Sequence, residues 1–126
     1  MYARRYVKAQ NETASPERLM MLLFEAALRH IRSAATALEQ GRARDASPSL
    51  GKAGAIVAHL DATFDRARYP ALAENLGAVY RFTCQRLIAA NLRRDARLVR
   101  DAERAFAPIV DAFAKAVEQV ASGAAR

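Results

Sequence analysis

A single cysteine, Cys84, leaves this chain without an intramolecular disulfide, and so without a disulfide framework or a cysteine-based metal cluster. That usage fits a reducing compartment. Five glycines and four prolines in 126 residues leave long stretches with nothing to interrupt a helix. No apolar run approaches the roughly 20 residues of a membrane span. The opening Met1-Tyr2-Ala3-Arg4-Arg5-Tyr6 lacks the apolar core of a signal peptide. These absences predict a cytosolic location and no membrane insertion. There is no internal repeat, no alternating strand pattern and no low-complexity region. Lysine is scarce, with only Lys8, Lys52 and Lys115, so nearly all the positive charge behind the net +7 is arginine.

The length predicts one domain over 1–126, large enough to bury a real core without disulfides or metals. Hydrophobic residues make up 52% of the chain, and much of that is alanine, a strong helix former but a poor core filler. A basic chain can serve a nucleic-acid or membrane partner. Here the arginines are scattered and acids such as Glu25, Glu39, Asp65, Glu74 and Asp101 interleave with them. That arrangement reads as solvated helix faces, and no specific nucleic acid is expected.

Residues 1–14 read as an arm in which Tyr2 and Tyr6 share a face if the piece is helical. Ser15 is then an N-cap and Pro16 the first helical residue, where its missing N–H is harmless. Arg18 occupies the position where a capping box would carry Glu or Gln. The helix predicted from there to about Gln40 carries Leu19, Leu22, Leu23, Ala26, Ala27, His30, Ile31, Ala34 and Leu38 at 3–4 spacing. Met20, Met21 and Phe24 widen its apolar face, and Gly41 suits its C-terminal turn.

Asp45 or Ser47-Pro48 is expected to open a second helix running to about Arg68, with Ile56, Leu60, Thr63 and Phe64 facing inward and Gly51 and Gly54 weakening its start. Tyr69-Pro70 is a hard boundary. A third helix follows to Leu92, and Asp95 opens a fourth that Pro108 should kink and Ser122-Gly123 should end, with a frayed tail over 122–126. Four amphipathic helices with short connections predict an all-α fold, an antiparallel four-helix bundle with a short N-terminal helical arm.

No catalytic or metal-binding constellation is legible. His30 and His59 fall on different predicted helices, without HExxH or zinc-ligand spacing. Ser15 and Cys84 have no histidine near them in sequence, and no glycine-rich phosphate loop occurs. No cofactor and no enzymatic activity are expected. Hydrophobic surplus is the stronger signal. On the third helix Leu76, Tyr80 and Leu87 form one track, and Val79, Phe82 and Arg86 form another. One bundle face cannot bury both. The surplus either packs on the arm and a neighbouring helix or forms a groove for a partner helix. Asn75 and Asn91 bracket this segment, placed either to cap turns or to clamp a guest's backbone.

Three blocks of residues are similar to a known family. The first is a tyrosine-bearing arm leading into Thr13-Ala14-Ser15-Pro16-Glu17-Arg18-Leu19 and then Met20-Met21-Leu22-Leu23-Phe24-Glu25-Ala26-Ala27. The second is Lys52-Ala53, Ile56-Val57 and Leu60-Asp61. The third is Ala73-Glu74-Asn75-Leu76-Gly77-Ala78-Val79-Tyr80-Arg81-Phe82 with Arg86-Leu87-Ile88-Ala89-Ala90-Asn91 and Asp95. Together they span residues 2–95 and resemble the FliS family of flagellin-specific secretion chaperones. Phe24 stands where the family has tyrosine, Ala26 where it has glycine and Val79 where it has leucine. The last helix matches only in type, and Pro108 departs from the pattern.

The resemblance implies a helical bundle whose N-terminal segment covers part of the surface. It implies binding of the C-terminal, polymerisation-prone segment of flagellin in the cytosol. Premature assembly is thereby prevented, and flagellin is delivered to the flagellar type III export apparatus without cofactor or ATP. Export-apparatus components and an anti-sigma factor are further candidate partners. Tyr6, Leu19, Phe24, Asn75, Tyr80, Leu87 and Asn91 are the positions expected to line or support the groove. The competing readings are a basic helical nucleic-acid module and a small enzyme, which the interleaved acids and the missing site respectively disfavour.

Overall fold

The computed structural model describes residues 15–124, which form four α-helices: α1 (Pro16–Glu39), α2 (Ala43–Thr63), α3 (Pro70–Arg93) and α4 (Ala96–Ala124). Short connections fold consecutive helices back on one another, and α4 closes the ring against α1. The result is the expected all-α four-helix bundle. The arm over 1–14, with Tyr6, lies outside the described residues.

Local chemistry explains most boundaries. The Ser15 hydroxyl accepts the Arg18 N–H at 3.1 Å, with Pro16 in the first turn. At the other end of α1 the backbone turns left-handed at Gly41 (φ +74°). The Gly41 N–H then reaches the Leu38 carbonyl (3.0 Å), and the Arg42 N–H reaches that of Ala37 (2.8 Å). This paired closure satisfies two carbonyls that the helix end leaves open. Between α3 and α4, Arg94 takes the left-handed conformation (φ 54°), and the Asp95 carboxylate accepts the Arg97 N–H at 2.9 Å.

Three boundaries differ from expectation. α2 begins at Ala43, before Asp45 and Ser47-Pro48, so Pro48 lies inside it. The Gly41 turn delivers the chain already coiled, and the Arg42 carbonyl takes the N–H groups of both Asp45 and Ala46. Pro48 then removes one bond, to the Arg44 carbonyl, near an end where few bonds depend on it. α2 also stops at Thr63 rather than near Arg68. Phe64 goes extended (ψ 133°), and the loop buries both Phe64 and Tyr69 against Phe113, with ring centroids 6.0 and 5.4 Å away. Burying two aromatic rings outweighs one more helical turn. Asp65 holds the loop by accepting the Arg68 N–H at 3.0 Å. Finally, α4 holds Pro108 inside it as expected but runs past Ser122 and Gly123 to Ala124. Pro108 and Arg104 are both exposed, so water can take the bond that the Arg104 carbonyl loses.

The core joins all four helices. Phe24, Ile31, Val57, Leu60, Val99, Phe106 and Phe113 are essentially inaccessible. Fully buried Ala27, Ala34, Ala35, Ala53, Ala90 and Ala102 let the helix backbones approach closely. Charged pairs tie α1 to α4 outside this core. Arg32 donates to Glu103 (2.8 Å), and Arg100 bridges Glu103 (2.9 Å) and Glu39 (2.7 Å). Burial works against the Glu103 charge, but the two guanidiniums prevail and hold its carboxyl below the usual range.

Candidate partner-binding groove

α2 and α3 pack more lightly than the other neighbouring helices, and the side chains between them explain it. On α2, Gly51, Gly54, Ala55 and Ala58 recur at helical spacing and present almost no bulk. Facing them on α3 are Tyr80, Cys84, Leu87, Ile88 and Asn91, again one helix face. The outcome is a trough of about 350 Å³. A Cβ added at Gly51 or Gly54 would meet nothing within 4 Å, so the glycine backbone lies open to an approaching chain. Ile88 is 64% exposed, and Leu92, one turn further along α3, is 80% exposed. Large aliphatic side chains this open beside a trough make an apolar docking surface.

The trough is chemically quiet. Burial pushes the Cys84 thiol up, so it stays protonated at neutral pH and is a poor nucleophile. Cys84, burial and Asp61 together raise the Tyr80 phenol. Among the described residues no three of His, Cys, Asp and Glu gather as a metal site. Two further cavities lie outside the trough. One, of about 390 Å³, adjoins it through Asn91 and is lined by Leu38, Arg44, Ser47 and Arg94. The other, of about 250 Å³, is lined by Pro16, Met20, Tyr69 and Phe113, next to the point where the arm joins α1.

Of the residues singled out in the sequence, Tyr80, Leu87 and Asn91 come together in the trough. Leu87 is only 3% exposed and forms part of the trough's base. Phe24 is wholly buried against Phe106 and Phe113, so it supports the bundle and does not line its surface. Leu19 is half-buried on α1, and Asn75 is exposed near the start of α3; neither lines the trough. Tyr6 falls outside the described residues. The small residues of α2, together with Cys84, Ile88 and Leu92, escaped the sequence reading. Their signal was the 51, 54, 55, 58 periodicity, which reads equally well as a weak helix start.

Of the fourteen arginines among the described residues, eight pair with a carboxylate: Arg32, Arg42, Arg66, Arg68, Arg86, Arg97, Arg100 and Arg104, spread around the bundle. No helix among the described residues is long and apolar enough to cross a membrane.

The family model described as Flagellar protein FliS matches residues 1–120. The flagellar secretion chaperone FliS of Salmonella typhimurium is 33% identical over 113 residues, 89% of this chain and 84% of that protein. FliS of Bacillus subtilis is 29% identical over 113 residues, 90% of this chain and 84% of that protein. FliSB of Pseudomonas aeruginosa is 32% identical over 93 residues, 74% of each chain. With the family model spanning almost the whole chain and its helices forming the bundle described above, this protein belongs to the FliS family of flagellar secretion chaperones.

Proposed function

We propose that this chain is a cytosolic, non-enzymatic chaperone that holds the C-terminal segment of flagellin in the α2–α3 trough. It thereby prevents premature polymerisation and assists delivery to the flagellar type III export apparatus. The whole chain acts as one domain, with residues 1–14 as an arm. The observation that carries this reading is the trough itself, floored by Gly51, Gly54, Ala55 and Ala58 and flanked by exposed Ile88 and Leu92. A disordered amphipathic tail that coils along it exchanges chain entropy for buried apolar surface, which requires neither cofactor nor chemical step. Tyr80, Leu87 and Asn91 line the contact, while Phe24 acts only through the bundle core behind it.

The test is calorimetric titration of the full chain with the last roughly 40 residues of its own organism's flagellin, at two salt concentrations and several temperatures. One-to-one binding, a large negative heat-capacity change and little dependence on salt are expected. Absence of tail binding, with salt-steep binding to unrelated duplex DNA, would overturn the reading.

A further inference from the structure

The trough runs on, past Asn91, into the cavity where the end of α1, the start of α2 and the end of α3 meet. Two arginines, Arg44 and Arg94, line that cavity. Both are exposed, and neither pairs with a carboxylate among the described residues. The acids closest in sequence are already engaged: Asp45 with Arg42 and Asp95 with Arg97, each at 3.1 Å. Ser47 and Asn91 add neutral hydrogen-bonding groups at the same place.

Towards its other end the trough meets an acid that is already paired. Asp61 lies one turn beyond Ala58 on α2, close enough to help raise both the Tyr80 phenol and the Cys84 thiol. Arg66 neutralises it in part, at 3.1 Å. The apolar trough therefore leads from a paired acid to two unpaired bases. A helix is itself polar, positive at its N-terminus and negative at its C-terminus. These charges favour one direction for a guest helix, with its C-terminal end towards Arg44 and Arg94. If its chain ends there, the terminal carboxylate adds a full negative charge to that end.

We propose that Arg44 and Arg94 receive the α-carboxylate that ends the guest's chain, fixing the direction in which the guest helix lies in the trough. This rests on the reading of the trough as a flagellin-tail site. It predicts that the chaperone recognises a chain end as well as an amphipathic helix. Arginine suits the role because its planar fork can give a carboxylate two hydrogen bonds.

The test compares two synthetic tail peptides, one ending in the free acid and one in the carboxamide, each titrated against the full chain. The amide should bind about fivefold more weakly at low salt, with the difference shrinking as salt rises. An Arg44→Gln/Arg94→Gln double variant should bind acid and amide alike, each about as well as the unaltered chain binds the amide. Both side chains are exposed and free of ion pairs among the described residues, so the fold should persist, with circular dichroism as the check. A peptide carrying a few extra residues past the natural end should behave like the amide. Equal binding of acid and amide by the unaltered chain overturns the proposal and leaves the tail-binding reading intact. Failure of both peptides to bind overturns both. Gly54→Leu, which fills the trough and touches neither arginine, should weaken acid and amide together.

Discussion

The ring of Phe24 on α1 lies 5.0 Å from that of Phe113 on α4, tilted by 32°, with both side chains essentially closed to solvent. Phe113 also meets Phe64 and Tyr69, so one ring ties α1, α4 and the α2–α3 loop together. Phe113→Ala should therefore cost about 3–5 kcal/mol of stability, read as a lowered urea midpoint. Phe24→Leu should cost roughly 1 kcal/mol and leave tail affinity within about twofold when measured on folded protein. A larger affinity loss would mean that Phe24 meets the guest directly.

Gly54 separates groove from fold. Alanine there adds helix propensity and meets no neighbour, so Gly54→Ala should raise stability by about 0.5–1 kcal/mol. Leucine should keep the helix but occupy the trough, weakening the flagellin tail about tenfold or more in the same calorimetric assay. Undiminished affinity would place the guest elsewhere.

Arg94 sits in a backbone conformation that glycine adopts at far lower cost. Arg94→Gly should stabilise the protein by about 1 kcal/mol in chemical denaturation. It should also weaken binding of the free-acid tail by about twofold, since one of two cations is lost. Opposite signs of the two effects are the signature to look for. A fall in stability would show that the side chain contributes packing as well.

His30 should tune stability near neutral pH. Burial, assisted by Lys52 and Arg29, lowers its pKa below the ordinary 6.5. Just below that value the unfolded chain binds the proton more readily than the folded one, so stability falls as pH drops. Denaturation midpoints should be flat well above the ordinary histidine value of 6.5 and decline as pH falls through it. His30→Gln should remove that decline. The carboxyls of Glu39 and Glu103, held below 4.5 by Arg100 and Arg32, lose their contribution only at lower pH.

Thr83 is fully buried on α3, and its hydroxyl has no hydrogen-bond partner among the described residues. Valine has nearly the same shape without the unsatisfied group. Thr83→Val should raise the unfolding free energy by about 1 kcal/mol with tail affinity unchanged. Destabilisation would reveal a partner for the hydroxyl.

Helix count, class and several boundaries were legible in the sequence because their causes are local. Ser15-Pro16, Gly41, Tyr69-Pro70 and Asp95 each act on backbone groups a few residues away, whatever the rest of the chain does. The stop of α2 was not legible, because burial of Phe64 and Tyr69 against the distant Phe113 sets it. Its start, set locally by the Gly41 turn, was missed in favour of Asp45 or Ser47-Pro48. Helical spacing also put Tyr80 and Leu87 on one track of α3, and the resemblance added Asn91. On α1 spacing could not tell that Phe24 is core and not groove, since periodicity says which residues align but not what stands opposite them.

Only the tertiary structure decided that α2 and α3 stand apart, leaving Gly51, Gly54, Ala55 and Ala58 as the floor of a trough. It likewise decided that Arg44 and Arg94, far apart in the chain, line one cavity at the trough's end. The reason is physical. Caps and turns are satisfied within a few residues of sequence, whereas an open surface is defined by the packing of whole helices against one another and by what that packing leaves uncovered.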